Sequence, residues 1–393
     1  MQITAQEIQG RAEKLLAHVR QEKLSGVVLF DSFHILFTSG FAFIPTERPI
    51  AYVMNSGGEQ GMFVPRLELE HARAKTQVSR VDHYLEYPDD PHPMHHFQKM
   101  LREMGIGGRV GADSDGYPWI LGYQGPSLSA LMDCAVVNVG AFIEGMMAIK
   151  SEAELALIRE SVKWGHLAHV LLQRYTRPGA TETEVSLRAG HEATLAMMDT
   201  IGPLYRAQSM GHGGPSAGYR GQIGRNAAIP HALAMNATFM LGDVLVTGAG
   251  CPMWGYHSEL ERTMIIGQPG DAQRRFFDCM KRAQETAFNA MRPGAACSDV
   301  DRAVRKFYED NGLMPHWKHH SGHAIGLRYH EGPFLDKGDA TLLQPGMVFT
   351  VEPGLYSPDL GGFRHSDTVA ITEDGIEMMT YYPRDLESLI IPT

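Results

Sequence analysis

The sequence predicts a two-domain α+β protein, and three observations carry that prediction. Helical and strand-like segments alternate through the first third, a helix-start signal stands near residue 150, and from about Gly202 short β-like runs alternate with Gly/Pro turns. The domains are placed at 1–147, an α/β domain, and 148–393, an α+β domain with an antiparallel sheet.

In the first domain, Ile8, Ala12, Leu15, Leu16 and Val19 recur at helical spacing between about Ala5 and Lys23. The run Gly26-Val-Val-Leu-Phe30 follows as a buried strand. Ile50–Met54 and Gly61–Pro65 flank Asn55-Ser-Gly-Gly58, a hairpin signal, and Arg109–Ala112 reads as a further strand. His92, His95 and His96 fall in a proline-containing polar stretch that predicts a solvated loop. Gly105-Ile-Gly-Gly108 lacks the pattern of a phosphate cradle.

At the boundary, Ser151 and Glu154 make a capping box that opens a helix towards Arg174, and Thr181-Glu-Thr-Glu opens another. Strands are expected at Asp243–Thr247, Thr263–Ile266, Met347–Val351 and Thr368–Thr372, with helices at about 271–291 and 298–311.

With 393 residues, 44% of them hydrophobic, the chain can bury a sizeable core, which excludes disordered and collagen-like classes. A net charge of −10 without a basic block excludes binding to nucleic acid by phosphate neutralisation. No apolar run is long enough to span a bilayer, and the polar N-terminus lacks a signal-peptide core. Cys134, Cys251, Cys279 and Cys297 lie far apart, as free thiols of a reducing compartment do. A cytoplasmic protein with neither a nucleic-acid nor a membrane partner is expected.

The chemistry-bearing residues concentrate between His231 and Asp367. They stand in Gly242-Asp-Val-Leu, Gly255-Tyr-His-Ser-Glu-Leu-Glu-Arg-Thr263, Gly322-His-Ala-Ile-Gly-Leu-Arg-Tyr-His-Glu331, Val351-Glu-Pro-Gly-Leu355 and Gly361-Gly-Phe-Arg-His-Ser-Asp-Thr368. Simpler roles compete at several positions: Asp243 as a turn residue, Glu261 with Arg262 as a structural ion pair, His330 as a core histidine, and Gly322 and Gly326 as close-packing positions.

These motifs, in this order, resemble the pita-bread family of methionine aminopeptidase, aminopeptidase P, prolidase and creatinase. The resemblance covers nearly the whole chain and implies the two-domain creatinase/prolidase architecture. In the family's metallopeptidases two divalent ions are held by two Asp, one His and two Glu. Here those positions fall on Gly248, Glu259, His323, Glu352 and Ser366, so two ligands are gone and one is altered. A dinuclear site is not expected. Glu259, His323 and Glu352 remain as a possible mononuclear set, with His257 or His365 as a fourth ligand.

The metal-free creatinase branch is similar at the same places, with Leu260-Glu-Arg-Thr263 and with His231 eleven residues before Gly242. That resemblance implies no cofactor, His231 as the proton shuttle, and Glu261 and Glu352 as the carboxylates that grip the substrate. It also implies substrate contacts from Arg48, reaching across a homodimer, and from His257, which stands where creatinase has a tyrosine. His323 and His330 would orient substrate or water. A pocket that keeps its carboxylates but loses its ions needs another cation. The expected activity is therefore metal-independent C–N hydrolysis of a small cationic metabolite. An Xaa-Pro dipeptidase or aminopeptidase with an atypical metal site is the alternative, and a non-catalytic peptide-binding module is the third reading.

Overall fold

The computed structural model describes residues 2–118, 122–202 and 213–393. Its chain forms two compact units, Gln2–Met147 and Ala148–Thr393.

The first unit is built on a six-stranded sheet in the order Arg80–Tyr84, Gln60–Pro65, Ala51–Asn55, Gly26–Leu29, Arg109–Ala112, Ala135–Asn138. The hairpin forms because the Asn55 side chain accepts hydrogen bonds from the Gly57 and Glu59 amides, closing the turn between Ala51–Asn55 and Gln60–Pro65. Helix Ala5–Gln21 starts at Thr4, whose hydroxyl accepts from the Glu7 amide, and it buries Ala12, Leu15 and Val19. The stretch expected as a loop around His92 is instead the start of helix Pro93–Glu103. His92 caps it through Nδ1, Pro93 stands in its first turn, and Met94, Phe97, Met100 and Leu101 bury one face. The loop expectation gave too much weight to proline, which helices accept in the first turn.

The second unit centres on an eight-stranded antiparallel sheet. Its main path runs Glu331–Leu335, Gly322–Ala324, Val348–Val351, Ser366–Ile371, Leu260–Glu261, Gly248–Gly250, Ser216–Gly218, with Ile376–Met378 paired on Ser366–Ile371. Helix Glu152–Tyr175 begins with both halves of the Ser151/Glu154 capping box. It lies close on the sheet where Gly165 faces Gly250, a Cβ on Gly165 reaching 3.1 Å from the Gly250 Cα. Helices Glu182–Ile201, Asp271–Ala290 and Cys297–Asp310 complete the layer, burying Val185, Phe277, Met280 and Val300 with Phe349 of the sheet and Phe363 of a separate two-stranded hairpin, Gly354–Ser357 with Gly361–Arg364. Asp243 is a turn residue, its carboxylate accepting from the Met240 amide. Among the described residues no helix is long and apolar enough to cross a membrane.

Candidate active site

Neighbouring strands bring distant residues of the chain to one place. His323 lies on Gly322–Ala324, Glu352 directly follows Val348–Val351, and Ser366 begins Ser366–Ile371. Glu261 lies on Leu260–Glu261 with Glu259 just before it, and Gly248 begins Gly248–Gly250. The register pairs Ala324 with Phe349, Val351 with Asp367, Glu261 with Ser366, and Leu260 with Ala249. Gly322 is needed for this approach, because a Cβ there would lie 2.1 Å from the Thr350 carbonyl oxygen.

Donor atoms of Glu259, His323 and Glu352 all lie within 4.8 Å of one another. His323 Nδ1 faces the Ala324 carbonyl at 2.9 Å, which fixes the ring and directs Nε2 into the cluster. Nε2 stands 3.3 Å from Glu352 Oε1, within ion-pair distance, and is buried with no hydrogen-bond partner among the described residues. Burial lowers the His323 pKa, yet Glu352 and Glu259 outweigh it and push it up to about 9. Burial raises Glu352, and His323 with Arg364 overcome it to hold that carboxylate below its usual range. Glu259 is pushed up to about 7 by burial and by the nearby Glu352 and Glu261.

One imidazole nitrogen and two carboxylates fit a single zinc- or manganese-like ion, and the orphaned Nε2 is a donor such an ion would use. Two ions do not fit these residues. Gly248 has no ligand atom, and the Ser366 hydroxyl is committed to Glu259 Oε1 at 2.6 Å. Neither proposed fourth ligand joins the cluster. His365 is wholly buried with its ring edge-on to Phe277, centroids 5.1 Å apart. His257 donates its amide to Gly326 and packs edge-on against Tyr329.

Glu261, expected to grip a cationic substrate, is instead neutralised within the protein. Arg364 Nη2 reaches its Oε1 at 2.8 Å, Arg364 Nε donates to its Oε2, and Arg220 Nη2 donates to its Oε1 at 2.8 Å. Its expected partner Arg262, the residue between strands Leu260–Glu261 and Thr263–Ile266, turns its side chain away and pairs with Asp367 at 2.7 Å. His330 is an exposed residue, not a core one, and its ring stacks on His323 with centroids 3.9 Å apart. His231 is also exposed, and its electrostatic effect reaches His330. Arg48 belongs to the first unit, where its guanidinium is bonded to Glu86 at 2.7 Å and to Glu47.

Three residues of this site escaped the sequence analysis as site residues. Arg364 stood inside a quoted motif, and the loss of nearby acidic ligands was the signal for its role. Tyr329, next to His330, was likewise in a motif. Arg220 stands in none, and only the fold shows it.

The sequence model of metallopeptidase family M24 matches residues 156–373, and that of the creatinase/prolidase N-terminal domain matches residues 11–146. The chain is 26% identical over 384 residues to the Xaa-Pro dipeptidase of Pyrococcus furiosus, covering 96% of this chain and 99% of that one. It is 28% identical over 380 residues to the probable dipeptidase PepE of Mycobacterium tuberculosis, covering 94% and 92%. Among solved structures, the Xaa-Pro dipeptidase from Bacillus anthracis superposes with a TM-score of 0.80 at 23% identity, covering 98% of this chain and 99% of that one. Dipeptidase PepE from Mycobacterium ulcerans superposes with a TM-score of 0.82 at 24% identity, covering 98% of each chain. The fold is the two-domain creatinase/prolidase architecture. Whole-length relatives named as dipeptidases overturn the expectation of a metal-independent creatinase-like hydrolase acting on a small cationic metabolite. The neutralised Glu261 gives the physical reason: the carboxylate that was to hold the cation already has two. Hydrolysis of C–N bonds is what stands, and the chain belongs to metallopeptidase family M24, preceded by a creatinase/prolidase N-terminal domain.

Proposed function

We propose that this chain is an Xaa-Pro dipeptidase that works with one divalent ion, held by Glu259, His323 and Glu352. The observation that carries this reading is the orphaned His323 Nε2 aimed at two carboxylates in a buried cluster. The dipeptidase names of the Pyrococcus furiosus and Mycobacterium tuberculosis relatives support the substrate class. When bound, the ion supplies Lewis acidity to a peptide carbonyl. The chain's own groups divide the remaining work. Glu259 and Glu352 supply the carboxylate oxygens that hold the ion, whose charge keeps Glu259 ionised as His323 and Arg364 keep Glu352. Ser366 holds Glu259 Oε1 in place, and His330, stacked on His323, faces solvent where it meets substrate. All four cysteines are unpaired, which supports a reducing, cytoplasmic setting.

The test is elemental analysis of protein dialysed against manganese, alongside hydrolysis of Ala-Pro and Leu-Pro with and without chelator. About one ion per chain and dipeptide hydrolysis lost in chelator are expected. Metal-free protein with no dipeptide hydrolysis would overturn the reading.

A further inference from the structure

Beside the metal-ligand cluster lies a cavity of about 860 Å³, walled on one side by helix Glu182–Ile201 and on the other by the strands of Gly218 and Gly248. Tyr329, whose phenol is pushed up by burial and by the neighbouring Glu259, connects its wall to the cluster. The described lining residues include no Asp, Glu or Lys, and beside His191 and His257 the one permanently charged side chain among them is Arg220. Ser186 Oγ, on the helix wall, is buried without a hydrogen-bond partner among the described residues.

Arg220 is held there at a conformational cost. Its φ is 50°, in the left-handed region that non-glycine residues rarely adopt. The following Gly221, at φ 72°, packs so tightly that a Cβ would lie 2.0 Å from the Leu233 carbonyl oxygen. The turn is therefore rigid, and it directs a guanidinium into an otherwise uncharged cavity. Only Nη2 is used, by Glu261 Oε1 at 2.8 Å and Gln222 Oε1 at 3.3 Å. Among the described residues Nε and Nη1 have no hydrogen-bond partner, and the side chain is 48% exposed. Glu261 does not need Arg220 for neutralisation, because Arg364 already contacts both of its oxygens. Arg364 lies between Glu261 and Glu352, 3.7 Å from the latter, whereas Arg220 meets Glu261 through Nη2 alone and leaves its other edge facing the cavity.

We propose that Arg220 is the carboxylate anchor of this cavity, one edge of its guanidinium resting on Glu261 and the free edge receiving a carboxylate of the ligand. On the peptidase reading, on which only the ligand's identity rests, this is the free C-terminal carboxylate of a dipeptide. Arg220 then determines specificity, selecting free acids over amides and longer chains, and it takes no part in bond cleavage.

The test is calorimetric binding of N-acetyl-L-proline and of its carboxamide to the full chain as wild type, Arg220→Gln and Arg220→Lys. Wild type should bind the acid about 10- to 100-fold more tightly than the amide. Arg220→Gln should abolish that preference by weakening the acid alone, and Arg220→Lys should restore part of it. Arg220→Asn, which tolerates positive φ, repeats the test if the glutamine variant fails to fold. A wild type with no preference for the acid, a preference that survives Arg220→Gln, or equal weakening of both ligands overturns the proposal. Ala-Pro turnover by wild type separates this from the peptidase reading. Arg220-dependent acid binding without turnover sinks only the peptidase reading, and turnover without Arg220 dependence sinks only the anchor.

Discussion

Ser366 Oγ donates a hydrogen bond of 2.6 Å to Glu259 Oε1, between two residues 107 positions apart, Ser366 on the strand that pairs with Leu260–Glu261 and Glu259 just before Leu260. A hydroxyl that donates to a carboxylate favours its ionised form. Here it is outweighed by burial and by Glu352 and Glu261, so Glu259 keeps a proton near neutral pH. A cation in the cluster would reverse that balance, which ties metal binding to proton release.

Metal should stabilise the folded chain. With manganese at 100 times its Kd the gain is about 2.7 kcal/mol, a rise of about 5 °C or more in Tm. His323→Ala removes the nitrogen ligand and should abolish the shift, read by thermal melts with and without metal.

Glu259 links stability to pH in the absence of metal. Its folded pKa of about 7 lies above its ordinary 4.5, so the unfolded chain loses that proton first as pH rises. The contribution is present below the ordinary value and is lost as pH climbs through 7. In chelator, wild type should lose stability relative to Glu259→Gln between about pH 5 and 8, by on the order of 2 kcal/mol. Urea melts across that range measure the difference, and a pH-independent gap would mean that the carboxyl is ionised throughout.

His34 does the same for the first unit over a higher window. Burial lowers its pKa, but Nδ1 bonded to Asp113 and Nε2 bonded to Glu144, each at 2.9 Å, raise it to about 9. A histidine with a raised folded value stabilises fully below its ordinary 6.5 and loses that contribution as pH rises through 9. His34→Gln should cost on the order of 3 kcal/mol at pH 6, and the loss should shrink as the pH approaches 9.

The pair of Arg262 and Asp367 is fully buried, with both side chains at 0% exposure. Arg262 also donates to the carbonyl oxygens of Tyr382, Pro383 and Ser366. Arg262→Met leaves the buried Asp367 with Gln284, Thr380 and the more distant Arg384 at 3.6 Å, and should cost on the order of 3 kcal/mol. Adding Asp367→Asn should recover part of that loss, as a double-mutant cycle in denaturant would show.

Local signals were legible wherever a few neighbouring residues decide the outcome. Ser151 with Glu154 started a helix, Asn55 closed a hairpin, and alternating apolar runs marked strands such as Thr263–Ile266. The helix after His92 was not legible, because its start depends on an imidazole acting as a cap, which is rarer than a hydroxyl or carboxylate. In the site, Glu259, His323 and Glu352 could be read from their motifs, while the partner of Glu261 could not. Sequence adjacency favoured Arg262, but at the break between strands Leu260–Glu261 and Thr263–Ile266 its side chain turns to Asp367 instead.

By itself the sequence determined the family and the two-domain α+β architecture, and it named Glu259, His323 and Glu352, whose donor atoms the fold brings within 4.8 Å of one another, since each follows from the order of short motifs. Only the tertiary structure decided the charge of the pocket. Arg220, after one strand, and Arg364, at the end of another, meet on Glu261 because sheet order places distant segments side by side. Electrostatic sign depends on separations of a few ångströms in a low-dielectric interior, and linear spacing carries no record of them.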